Sequence, residues 1–486
     1  MKSHVTDYVL YRWRFGLGLL IIAVIIGVIV WGGALQTPGE LRPEEIKSVA
    51  TSSSLSKNSL DPAMIVNFPY HLLQRLSIYT FGATTFAIKL PSLVLATFTI
   101  LGILVLTQSW LKRNVAMITT MALATTTQFL FMAQDGTPAI TFNAIAVWLL
   151  VAGLRVTRGK YFHTFWKILG GVLMAVALYV PLGIYVVVSL LITSVLHPHI
   201  RYIMKRLGKT KLLMAAILGL ASMAPLVYAI VIQPSTALEL AGLPSDISFA
   251  HIRATAPQAI LDLAGFSAHS SGALLRPAYS LTLALVALIG LYRLITTHYT
   301  ARSYVTIILS VLLVPLILLT PAHISALFFV MTILIATGFD FLIRYWYRLF
   351  PRNPYARLAG LLPLAVLVIG IIATNVTHYM DGYRYAPSVL AHYSSDLNLI
   401  HAYASKHDQM ALVATEQERE FYHIVAERSP KITLRDQADQ SPGTIVLTRN
   451  ARRSMPAAPE SWQLEQIITN RRAEQSDRLY VYKILQ

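Results

Sequence analysis

Two adjacent carboxylates, Glu44 and Glu45, sit behind Pro43 in the stretch QTPGELRPEEIKSVATSSSL, residues 36–55. Acids are scarce in this chain, with 23 Asp and Glu against 40 Lys and Arg. A carboxylate beside a membrane can take a proton from a reacting hydroxyl. It can also do no chemistry, because proline at the first helical position followed by two acids is a good helix start. Downstream, DPAMIVNFPYHLLQRLSIYTFGATTFAIKLPSL (residues 61–93) forms a second patterned stretch. Leu72, Leu73, Leu76 and Tyr79 have helical spacing, with Asn67, Pro69, His71 and Gln74 at its start. Such order is more than a plain connector needs.

The elements that must hold these residues are apolar. The chain has 486 residues, 55% hydrophobic and 13% charged, whereas soluble domains carry about 25% charged residues. This composition predicts a polytopic α-helical membrane protein. The first run, Phe15 to Leu35, is long enough to span a bilayer and longer than a signal-peptide core, and no A-x-A cleavage site follows. It reads as a retained first helix. Later runs lie near 89–109, 115–133, 139–154, 164–180, 182–197, 212–233, 277–296, 304–320, 322–343 and 358–376. Together they predict eleven spans. Pro181 and Pro321 each divide a stretch too long for one crossing.

The net charge of +17 does not point to nucleic acid, because most charges lie in short loops between apolar runs. With the N-terminus in the cytoplasm, twenty Lys and Arg fall on inner segments. Seven (Arg42, Lys47, Lys57, Arg75, Lys89, Arg253 and Arg276) fall outside. This asymmetry predicts a cytoplasmic N-terminus. The large non-membrane segments 36–88, 234–276 and the C-terminal region from 380 then all lie outside. The chain has no cysteine, which excludes disulfides, thiolate catalysis and Cys-bound zinc.

After residue 380 the pattern changes. MALVAT, KITLRD, GTIVLT and RLYVYKIL predict strands, whereas EQEREFYHIVAERSP and ESWQLEQIITNRR predict helices. The division is therefore 1–379, a membrane domain with loop helices at 36–88, and 380–486, a small extracytoplasmic α/β domain. The latter has no Gly-rich phosphate loop and no metal-ligand spacing. Asp340 and Arg344 are spaced as an i,i+4 helix pair. His197 and His199 are too few for a metal site.

The first outer loop resembles that of the GT-C glycosyltransferases, in the branch holding the protein O-mannosyltransferases and the lipid A aminoarabinose transferase. There, Asp-Glu is followed by a proline motif and then by FG…A-x-R-x-P-S. This chain has Glu44-Glu45, then NFPYHLL (67–73), then FGATTFAIKLPS (81–92). Asp135 in FLFMAQDGTPAI fits the acid of the family's second outer loop. The resemblance covers residues 1 to about 160. It departs in two places: Glu44 stands where the family has Asp, and Tyr70 stands where a second Pro is expected.

The resemblance implies transfer of a sugar from a polyprenyl-phosphate donor to a lipid, glycan or protein acceptor on the outer face of a bacterial or archaeal plasma membrane. Glu44 is then the general base, with Glu45 and Asp135 in support. Asn67, His71, Arg75, Lys89, Arg253 and Arg276 are candidates for binding substrate, the cations for steadying the phosphate. Three acids suffice to hold a divalent ion, but the branch requires none, and no metal ligands are assigned. Two other classes fit the same sequence. One is a GT-C-like membrane scaffold that has lost activity, consistent with Glu44 in place of Asp. The other is a transporter, disfavoured because the spans are almost free of charge and the polar features gather at the outer face.

Overall fold

The computed structural model describes the chain except residues 1–8, 36–40, 56–63, 159–162, 245–252, 258–259, 261–277, 350–353, 387–396, 408, 436–442, 456, 470–476 and 485–486. Helix α1 (Val9–Gly27) continues through a π-turn to Leu35. Two shorter helices follow, α2 (Pro43–Ser54) and α3 (Phe68–Phe81). Next come α4 (Thr85–Trp110), α5 (Arg113–Ala124), α6 (Thr127–Gln134), α7 (Thr141–Arg158), α8 (His163–Ala177), α9 (Gly183–Leu196), α10 (Pro198–Lys205) and α11 (Lys209–Ile232). A short α12 (Ser235–Leu240) precedes α13 (Leu281–Thr296), α14 (Ala301–Leu319), α15 (Leu327–Leu349) and α16 (Pro354–Thr377).

Among the described residues seven helices are each long and apolar enough to cross a bilayer, and two bent pairs bring this to nine. The pairs are α5 with α6, bent by 63°, and α9 with α10, bent by 91°. Two shorter apolar segments, Thr164–Ala177 and Leu281–Thr296, complete the set. These segments correspond one for one to the eleven predicted runs. The bends have local causes: Thr126 leaves helical geometry and its hydroxyl caps α6 at Phe129 N, and Pro198 starts α10 at its first position. Apolar side chains such as Leu213, Leu220, Val231, Val311 and Leu362 point outward along these helices, as lipid-facing positions do. Where α13 crosses α15 the backbones nearly touch. A Cβ on Gly290 would run into Leu334 O, the close approach that small residues permit between membrane helices.

The C-terminal region holds α17 (Leu397–Lys406), β1 (Met410–Val413), α18 (Glu416–Arg428), β2 (Ile432–Arg435), β3 (Gly443–Thr448), α19 (Arg449–Ser454), β4 (Trp462–Thr469) and β5 (Asp477–Ile484). The sheet order is β2-β1-β3-β5-β4. Strands β2, β1 and β3 run parallel, and β5 and β4 add antiparallel. The second predicted helix, ESWQLEQIITNRR, is therefore corrected to strand β4. Tertiary pairing decides it: Trp462 registers with Ile484, and a bulge between Leu464 and Gln466 absorbs Glu465. The β-branched run Ile467, Ile468 and Thr469 suits a strand better than a helix.

One face of this sheet shares its core with the first loop. Leu41, Val49, Ile78, Ala83 and Ile88 pack in one cluster with Leu397, Ile400, Phe421, Val446 and Val481. His401 Nε2 adds a bond to Ala83 O at 3.1 Å. The loop helices are therefore held between the bundle and the sheet.

Candidate active site

Helix α2 starts as its sequence demands. Pro43 occupies the first turn, and Glu45 Oε2 reaches back to accept from Arg42 N at 2.8 Å. The same carboxylate does more. Its Oε1 accepts from Gly136 N at 2.7 Å and lies 3.5 Å from Lys89 Nζ on α4. Glu45 is 1% exposed and so joins α2, α4 and the loop after α6 from within. Burial pushes its carboxyl pKa up, and Lys89 pulls it back. Glycine is needed at 136, since a Cβ there would meet Ile88 Cγ2 at 2.9 Å and Glu45 Oε1 at 3.1 Å.

Asp135 is also buried. Its Oδ1 accepts from Arg42 Nη2 at 2.6 Å and Nε at 3.3 Å, and Thr137 donates its hydroxyl to Oδ2. The Arg42 guanidinium lies over the Phe131 ring at 4.8 Å. Burial disfavours its charge, but Asp135 and Glu45 outweigh this and hold it more firmly protonated than usual. Glu44 differs from its neighbour. Its side chain is 55% exposed, with Arg42 Nη1 at 3.7 Å. Three carboxylates thus surround Arg42, Glu45 also faces Lys89, and Glu44 alone of the three is open to solvent.

Helix α3 supplies the floor, with an unexpected face. Leu72, Leu73, Leu76 and Tyr79 are exposed, whereas Tyr70, His71, Gln74 and Ser77 are buried. Beside a bilayer this orientation is sensible: the apolar stripe meets lipid and the polar stripe turns inward. Gln74 uses all its capacity. Its Oε1 accepts from Ser48 and Ser52, and its Nε2 donates to Ile88 O and Gly136 O. Ser52 Oγ lies within 2.9 Å of His71 Nδ1 and also faces Ser48 O and Gln74 Oε1, which only accept. Burial lowers the His71 pKa to about 4. Tyr70, at the position where the resemblance expects proline, is fully buried and bonds Ser92 at 2.9 Å. Ser92 in turn donates to Thr137 O.

The structure brings Glu44, Glu45, Asp135 and Lys89 together, with His71 bonded into the wall behind them. Asn67 caps α3 in a left-handed conformation (φ 58°) that asparagine tolerates, and its N–H donates to Tyr179 O. Arg75 is half-buried on α3. Arg253 is exposed on a short helical turn tethered through Thr255 to Leu318 O, and no described contact joins it to the acids. Arg276 lies outside the described residues. Among the described residues no three His, Asp or Glu are grouped to hold a metal ion.

Two neighbours were not anticipated. Arg42 is the hub of the cluster, and its place directly before Pro-Glu-Glu was the available signal. Tyr383 lies at the end of the last span, packs edge-on to Phe131 at 5.8 Å and stacks on Tyr379. Its hydroxyl is buried without a partner.

No family model and no curated protein matches the chain. Solved structures do. Apo ArnT from Cupriavidus metallidurans aligns over 96% of this chain and 98% of its own, at 12% identity and a TM-score of 0.55. The same protein bound to undecaprenyl phosphate aligns over the same shares, at 14% identity and 0.53. An Archaeoglobus fulgidus oligosaccharyltransferase reaches only 0.45, at 11% identity over 89% of this chain and 68% of its own, too slight to build on. The chain thus has the fold of ArnT, and its long apolar helices make it an integral membrane protein.

Proposed function

We propose that this protein is a membrane glycosyltransferase moving a sugar from a polyprenyl-phosphate donor to an acceptor hydroxyl at the outer membrane face. The observation that carries this is the division of labour among the three acids. Glu45 and Asp135 are buried and spend their oxygens on backbone N–H groups, Thr137 and Arg42. Glu44 stands beside them with its carboxylate open. A buried, bonded acid serves as framework, whereas an open one can receive a proton.

In this reading the acceptor hydroxyl gives its proton to Glu44 as its oxygen bonds the anomeric carbon. The bond from that carbon to the donor phosphate breaks, and polyprenyl phosphate leaves with the electron pair. Lys89 lies within the site, and its described contact is the ion pair with Glu45. Its remaining N–H groups suit a phosphate oxygen. Arg42 holds Glu44 and Asp135 in one field. ArnT bound to undecaprenyl phosphate supports a lipid phosphate as the donor's carrier. We place the N-terminus in the cytoplasm and the C-terminal domain outside, on the strength of the Lys and Arg asymmetry.

The test is donor cleavage by the full chain reconstituted with polyprenyl-phosphate sugars. Glu44→Gln should lower transfer by about a hundredfold or more while Glu44→Asp retains a measurable part. Silence of the wild type with every donor and acceptor class would favour the inactive scaffold instead.

A further inference from the structure

A cavity of about 950 Å³ lies nowhere near the acids. It includes Trp110 at the far end of α4, so roughly 30 Å of helix separates it from Lys89. Its walls come from the second half of α7, from α8 to α11 and from the start of α14. They are apolar almost throughout, and among the described residues no Asp or Glu lines them. Several wall residues, among them Leu191, Leu212 and Leu220, are also exposed, so the space opens sideways toward lipid. Helix α10 crosses nearby at a right angle to α9. His197 pins it there by accepting from Ile200 N through Nδ1 and donating to Tyr299 O through Nε2.

The charges at this cavity are all basic: Lys167, Arg158 and Arg302, with His197 and His199 beside them. Lys167 is the telling one. It is 8% exposed, and no described residue supplies it with a counter-ion or an acceptor. Its stem is buried while its Nζ is not fully enclosed, which leaves the ammonium able to meet a lipid phosphate. An apolar cavity open to the bilayer, fringed by cations and free of acids, is complementary to a lipid with an anionic head. Basic pockets between membrane helices bind such heads.

We infer that this cavity is a second lipid site, which takes an acyl chain of an anionic phospholipid and pairs that lipid's phosphate with Lys167. It is separate from the proposed donor site and does not depend on it.

Native mass spectrometry of the full chain tests this, with phosphatidylglycerol and phosphatidylcholine of matched acyl chains. One phosphatidylglycerol should be retained about tenfold more tightly than phosphatidylcholine, the equivalent of one hydrogen bond to a charged group. Lys167→Gln should abolish that preference. Gly153→Phe should expel both lipids. Gly153 lines the cavity, and a Cβ there meets nothing within 4 Å, so the added ring fills space without a clash. Equal retention of the two lipids would overturn the inference, as would full binding by Gly153→Phe. Stoichiometric displacement by undecaprenyl phosphate would do so too, by assigning the cavity to a polyprenyl chain.

Discussion

Glu44→Gln and Glu45→Gln change adjacent residues and should differ in kind. At position 45 the carboxylate accepts from Arg42 N and Gly136 N and faces Lys89. Glutamine offers one acceptor oxygen, so one of the two N–H groups is left opposite an NH₂. Losing that bond to a charged acceptor costs about 1.5–3 kcal/mol. Stranding Lys89, itself 2% exposed, is the larger effect, since breaking a buried pair costs about 3–5 kcal/mol. These terms overlap, so a total near 4 kcal/mol is expected. At position 44 the ion pair is long and half in solvent, and its loss should cost at most about 1 kcal/mol. Thermal unfolding of both variants in one detergent reads the difference. Glu45→Gln should melt several degrees lower, and Glu44→Gln should overlay the wild type. With a transfer assay, the proposal requires Glu44→Gln to be stable and inactive. A stable Glu45→Gln, or a Glu44→Gln that transfers normally, would refute the division of labour.

Four further outcomes are expected. Arg42→Met strands Asp135 and should destabilise by about 3–5 kcal/mol; adding Asp135→Asn should return about 2 kcal/mol of it in a double-mutant cycle, and strict additivity would mean the pair is not coupled. Because His71 stays neutral in the folded protein down to about pH 4 while an exposed histidine titrates near 6.5, its contribution is complete above pH 6.5 and is lost as pH falls toward 4. It amounts to about 3 kcal/mol, and His71→Gln should flatten the acid limb of a stability profile by that much. Gly136→Ala should displace Glu45 or Ile88 and lower both melting temperature and transfer. For topology, an impermeant thiol reagent applied outside should label Ser405→Cys and not Lys205→Cys; the reverse pattern would invert the orientation.

Much of the fold was legible because a bilayer enforces a simple code. Each crossing needs its own apolar run, and the eleven runs became eleven helical segments, broken where Pro181, Pro198 and Pro321 fall. The start of α2 was equally readable, since Pro43 and Glu45 act through local geometry. Residues whose roles depend on distant partners could not be read this way. The segment around β4 reads as helical on its own, and only pairing with β5 makes it a strand. Arg42 looked like a loop cation until Asp135, 93 residues away, closed on it. The apolar stripe of α3 was visible, but soluble-protein habit would have turned it inward, and the lipid phase reverses that choice. For the acids the sequence marked the pair and could not divide it. Exposure of Glu44 and burial of Glu45 follow from which one meets Gly136.

The core shared between the first loop and the C-terminal sheet sets a timetable for synthesis. Leu41, Val49 and Ile88 are made early, but the side chains that cover them, from Leu397 to Val481, are made last. About 300 residues separate the two groups, or about 15 to 60 s of elongation at ordinary ribosomal rates. For that interval the nascent chain carries the loop with one side of its packing absent. A polypeptide released early would keep its anchor and its carboxylates while lacking the wall that seats α2. Completion of the last strand is therefore what makes the loop rigid, and a ribosome that stalls late in the message yields an inserted protein that is still unfinished where it matters.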